Sequence, residues 1–86
     1  MKLLFSEQAW GDYQYWLAID KKLAKRINQL IRDTIRDPFC GIGKPEPFRH
    51  LLKRYWSRRI NEEHRMVYRV KDDLLMVAQL RYHYEN

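Results

Sequence analysis

Five of the ten residues from Pro38 to Pro47 are glycine or proline. No helix and no central strand can run through such a segment, because proline removes a backbone donor and glycine weakens both kinds of element. The segment divides the chain into two halves of different hydrophobic period. Ahead of it the apolar residues recur every three to four positions, and behind it they alternate. With only 86 residues, that leaves room for a single domain over residues 1–86, with one modest core.

In the first half, residues 2–5 read as a short strand, and Ser6 stands where a helix N-cap belongs, with Glu7 in the first turn. Ala9, Trp10, Tyr13, Trp16 and Leu17 then form one stripe. Asp20 can cap a second helix whose buried face is Leu23, Ile27, Leu30, Ile31 and Thr34, while Lys21, Lys22, Lys25, Arg26, Arg32 and Arg36 fall mostly outside it. Pro38 stops this helix at Asp37. In the second half, strands are expected near 48–52, 55–60, 65–70 and 74–82, with polar turns at 61–64 and 71–73. The fold class is therefore α+β: a short N-terminal strand, a helical hairpin, and an antiparallel meander forming one sheet packed on the helices.

Composition excludes several classes. The longest apolar run, Leu74–Ala78, is far shorter than the roughly 20 residues that span a bilayer, and the apolar stretch after Lys2 ends too early for a signal peptide. A cytoplasmic protein without membrane association is expected. A single cysteine, Cys40, permits no internal disulfide, and the histidines at 50, 64 and 83 have no metal-ligand spacing. No cofactor is expected. The net charge of +6 attracts a polyanion or an acidic protein, although lysine and arginine can equally serve solubility.

Strand parity gives the sharper signal, because side chains alternate between faces and paired residues share one. A turn pairing Val70 with Leu74 sets Arg65 opposite Gln79, and Arg65, Gln79, Arg81 and His83 then share a face. Pairing Arg59 with Arg65 adds Arg59 and Ser57. The other face carries Trp56, Ile60, Met66, Tyr68, Val70, Met76, Ala78 and Leu80, suited to cover by the helices. Like charges opposed on a sheet are destabilising, so the arginine cluster calls either for an anion such as phosphate or for neutralisation by Glu62, Glu63 or Glu85.

GKPEP at 43–47, WSRRI at 56–60, EEHRMVY at 62–68 and RYHY at 81–84, in this order and spacing, resemble the YoeB/Txe toxins of the RelE superfamily, small ribosome-dependent messenger-RNA interferases. The resemblance covers nearly the whole chain. It implies the toxin of a type II toxin-antitoxin system, an endoribonuclease with Glu46 as base, Arg65 as phosphate-binding cation and His83 as acid. It further implies Arg49, Arg59 and Tyr84 around the substrate, to which parity adds Arg81. The implied partners are messenger RNA on the ribosome and a YefM-like antitoxin with an acidic segment. The aromatic residues, among them Trp10, Trp16 and Trp56, leave room for a homodimer.

The residue types suit metal-independent chemistry, since cleaving RNA through its own 2′-hydroxyl needs a base, an acid and a cation. A ParE-like gyrase poison and a non-catalytic RNA-binding module are the alternatives. The gyrase poison does not need the Glu46, Arg65 and His83 set, and the binding module would be hindered by an anion at Glu46. Three positions depart from the family pattern. Arg54 stands where a glycine is usual, which strains the turn if it requires a positive φ. Arg49 replaces a common lysine, and Glu85-Asn86 extend past the terminal tyrosine.

Overall fold

The computed structural model describes residues 1–49 and 54–82. In chain order these form β1 (Lys2–Phe5), α1 (Glu7–Ile19), α2 (Lys21–Arg36), β2 (Glu46–Pro47), β3 (Trp56–Arg59), β4 (Arg65–Lys71) and β5 (Leu74–Gln79). The five strands make one sheet in the order β1-β5-β4-β3-β2. Strands β2 to β5 are the antiparallel meander, and β1 joins its edge parallel to β5, so the sheet is mixed.

The helix ends are set by the residues the sequence singles out. The Ser6 hydroxyl accepts from the Ala9 N–H at 3.0 Å and donates to the Ala78 carbonyl at 2.6 Å, so the cap of α1 is also tied to the sheet. Asp20 closes one helix and opens the next: its N–H donates to Trp16, and its carboxylate accepts from the Leu23 N–H. The hairpin therefore turns on one residue. The backbone N–H of Asp37 makes the last bond of α2, and Pro38 follows.

Both helices pack on one face of the sheet. The core joins Ala9 and Trp16 of α1 and Ala24, Ile27, Leu30 and Ile31 of α2 to Ile60, Met66, Tyr68, Leu75, Val77 and Leu80. The second helix buries the expected face, with Leu23 at its margin. The first buries less than expected. Its buried positions are Ala9, Asp12 and Trp16, while Trp10 and Leu17 are 55% and 40% exposed. No helix among the described residues is long and apolar enough to cross a membrane.

The strand parity of β3 and β4 is as expected, with Arg59 opposite Arg65 and Ser57 opposite Val67. That of β5 is corrected by one residue. The two-residue turn Asp72-Asp73 pairs Lys71, not Val70, with Leu74, and Asp72 supplies the positive φ of 56° that so tight a turn demands. Leu75 and Val77 consequently face the helices, and Met76 and Ala78 face away. A register shift then sets Val67 opposite Gln79, leaving Ala78 as the extra residue. Beyond this bulge the expected parity returns: Gln79 faces away from the helices and Leu80 is buried among them. A two-residue strand forms at Glu46–Pro47, within the segment expected to be loop, and Phe48 and Arg49 are not strand; the rest of the strand expected at 48–52 lies outside the described residues.

Candidate functional site

The helix-free face is built from rows of cross-strand neighbours. One row runs Glu46, Ser57, Val67 and Gln79; the next holds Arg59 opposite Arg65. Glu46 and Arg65 are two strands and two residues apart, about 12 Å between Cα atoms at ordinary sheet spacing. Glu46 and Arg59 are exposed and Arg65 is half-buried. Among the described residues neither guanidinium has a carboxylate partner. On the same face the Arg69 guanidinium lies 6.0 Å from the Tyr55 ring centroid.

Glu46 owes its position to a residue on the other face. Arg58 is completely buried. Its guanidinium meets Asp33 of α2 at 2.7 Å, donates to the carbonyls of Asp37, Cys40 and Ile42, and donates through Nε to the Tyr68 hydroxyl. The loop between α2 and β2 is thereby wrapped around one cation. Asp33 completes the knot by accepting from the Ile42 N–H at 2.8 Å and from Arg36. The Ile42 N–H, then Arg58 and Arg36, hold the Asp33 carboxyl down to about 2. Burial pushes the Tyr68 phenol up, with Arg58 opposing.

Gly43 lets the loop close on β3. Its φ is +79°, and a Cβ there would lie 2.7 Å from Leu30 and 3.1 Å from the Arg59 carbonyl. The Arg59 N–H donates to the Gly43 carbonyl at 2.7 Å, so the loop enters β2 directly beside Arg59. Past β2, the Phe48 N–H donates to the Tyr55 carbonyl, and Arg49 follows, exposed. Arg54 does take a positive φ, 69°, yet β3 keeps Arg59 opposite Arg65. The strain is absorbed in the turn.

One expectation about the site changes. Arg81 does not join Arg59 and Arg65; its guanidinium lies 3.7 Å from the ring centroid of Tyr15 on α1, because β5 ends at Gln79 and strict alternation ends with it. His83 and Tyr84 lie outside the described residues. Sequence reasoning also missed Arg58, Asp12 and His64, three buried polar residues. A signal was present: Arg58 falls between Trp56 and Ile60 at strand spacing, and Asp12 falls between Ala9 and Trp16 at helical spacing, so each interrupts an apolar stripe from within. Among the described residues no three His, Cys, Asp or Glu side chains are grouped as a metal site.

Residues 5–84 match the family described as the YoeB-like toxin of bacterial type II toxin-antitoxin systems. Toxin YoeB of Escherichia coli K12 is 60% identical over 84 residues, covering 98% of this chain and all of that protein. The chain belongs to the YoeB-like toxins. Among solved structures, the YoeB/ParE toxin from Agrobacterium tumefaciens superposes with a TM-score of 0.94 at 48% identity, over 98% of this chain and 100% of that one. YoeB from Staphylococcus aureus, in its heterotetrameric complex with YefM, superposes at 0.88 with 46% identity over 98% of both chains. The family's toxin role and its α+β fold thus both apply here. The loop motif that carries Glu46 and the strands that carry Arg59 and Arg65 all fall inside the matched span.

Proposed function

We propose that this toxin is an endoribonuclease that cuts messenger RNA held on the ribosome, without a metal, by acid-base catalysis through the 2′-hydroxyl. One observation carries the reading: Arg59 and Arg65 are directly opposed across two strands with no carboxylate partner among the described residues, while Glu46 stands in the neighbouring row. Opposed cations cost stability, and a phosphate between them offsets that cost.

Glu46 takes the proton of the 2′-hydroxyl, and the 2′-oxygen forms a bond to phosphorus. Arg65, with Arg59 beside it, stabilises the charge that develops on the phosphoryl oxygens. The bond from phosphorus to the 5′-oxygen breaks, and His83 protonates that oxygen. The products are a 2′,3′-cyclic phosphate and a 5′-hydroxyl. Base, acid and cation are all side chains, so the reaction calls for no cofactor. Arg49 and Tyr84 flank the substrate strand. Arg81, stacked on Tyr15, is assigned to the edge of the site rather than to the phosphate. The ribosome contributes the in-line alignment that so small a site does not enforce alone, which places the activity in the cytoplasm. A YefM-like antitoxin, as in the Staphylococcus aureus complex, is the proposed inhibitor, its acidic segment drawn by the +6 charge.

The test is cleavage on purified translating ribosomes in chelator, with wild type beside Glu46→Ala, Arg65→Ala and His83→Ala. Wild type is expected to cut, and each variant to bind ribosomes normally but cut about 10²–10⁴-fold more slowly. Undiminished cutting by the variants, or none by wild type, overturns the reading and makes gyrase poisoning the next assay.

A further inference from the structure

Strand pairing in β5 ends at Gln79, yet the backbone of the next three residues is not left loose. The Leu80 N–H donates to the Asp12 carboxylate at 2.9 Å, and the Leu80 carbonyl accepts from the Trp16 indole at 2.9 Å. The Arg81 carbonyl accepts from the Gln79 amide at 3.2 Å. The Tyr82 N–H donates to Nδ1 of His64 at 2.6 Å, and the Tyr82 carbonyl accepts from the Arg65 N–H at 3.1 Å. The four side chains in this set, Asp12, Trp16, His64 and Gln79, are all buried, between 6% and 8% exposed. Buried polar groups are costly unless hydrogen-bonded, and here they bond to one short stretch of main chain.

That stretch is also strained. Tyr82 has a φ of +58°, a left-handed conformation that residues with a Cβ avoid. Such a conformation persists where the surroundings over-determine it. The two residues that grip Tyr82 are consecutive. His64 takes its N–H and Arg65 binds its carbonyl, so the backbone that carries the phosphate-binding Arg65 side chain is locked to the residue next to His83.

We propose that His64 is a positioning residue, whose Nδ1 clasps the Tyr82 amide and thereby holds the chain that leads into His83 against β4 beside Arg65. The inference rests on the reading of His83 given above. Accepting at Nδ1 leaves the ring proton of the neutral imidazole on Nε2, which lies 3.6 Å from a Glu63 carboxylate oxygen. The ring is wedged edge-on against Trp16, with centroids 4.8 Å apart, and against Tyr82 at 5.1 Å. It therefore cannot swing without moving the core aromatic on one side and the strained residue on the other.

Two neutral amides separate the acceptor from the packing. In His64→Asn the side-chain oxygen falls near the place of Nδ1, and in His64→Gln the amide is carried out to the place of Nε2. With the intact chain on programmed ribosomes, His64→Gln is expected to lose about 10²-fold in kcat, the scale of a misplacement of about 1 Å, with KM unchanged. His64→Asn should recover most of that loss. Amide hydrogen exchange gives a second readout: the Tyr82 N–H should be protected in wild type and His64→Asn, and exposed in His64→Gln, while core amides of β4 stay protected in all three. Equal rates and equal Tyr82 exchange in the two variants, with His83→Ala inactive, overturn the inference and leave the function intact. An active His83→Ala removes the proposed acid, and with it the catalytic half of the inference.

Discussion

Arg58 and Arg59 are neighbours in sequence and opposites in the fold. One sequence step on a strand turns the side chain to the other face, so Arg58 enters the layer between sheet and helices, and Arg59 enters solvent beside the loop that brings in Glu46. Arg58 is fully buried and its donors reach a carboxylate, three carbonyls and a phenol. Arg59 has no charged partner among the described residues. The same guanidinium is thus structure on one face and open to solvent on the other. What distinguishes them is what each face places within reach.

The contrast is broken most severely at Arg58. Arg58→Ala takes the buried cation away from Asp33 and three loop carbonyls, and should cost about 3–5 kcal/mol of stability, read by denaturant unfolding. A loss below 1 kcal/mol would mean the loop is held by something else. Next is the acid limb. The Asp33 carboxyl is held near 2 in the folded chain against 3.8 when free. A depressed folded value contributes stability that is complete above about pH 4 and is lost as pH falls towards 2. Asp33→Asn should therefore be less stable at neutral pH, with a flatter stability curve across that window; an unchanged acid limb would remove Asp33 from the knot.

Arg59→Ala should leave the unfolding midpoint within error and slow cleavage on ribosomes about tenfold, the scale of one charge-assisted contact. If it instead destabilises the fold as Arg58→Ala does, the two arginines are not functionally divided. The smallest effect is expected at Arg54. Its φ of 69° suits glycine, so Arg54→Gly should raise stability by about 1 kcal/mol or slightly less, the relief of the left-handed strain less the added freedom of the unfolded chain. The cleavage rate should not change, because β3 already holds its register.

Much of this was legible in the chain. Both caps, the stop at Pro38, the buried face of α2 and the pairing of Arg59 with Arg65 follow from residues close in sequence or from simple alternation. The open face was legible through Arg59 and Arg65 because their two strands are joined by a short connection. Arg81 was not, since alternation holds only while a ladder continues, and β5 yields to side-chain anchors after Gln79. The register of β5 was missed by one residue because a two-residue turn and a three-residue turn use the same letters, Lys71-Asp72-Asp73. The bulge at Ala78 then restored the parity of Gln79 and Leu80.

By itself the sequence determined the division into a helical hairpin and a meander, the helix ends, and the residue types of the candidate site. These rest on local rules, in which a proline, a cap or a period acts within a few residues. Only the tertiary structure decided that Arg58 is interior while Arg59 is exposed, and that Asp12, Trp16 and His64 converge on residues 80–82. Those outcomes depend on partners 10 to 68 positions away. A buried polar group is specified by the one geometry that satisfies it, and that geometry exists only once the sheet and both helices are packed together.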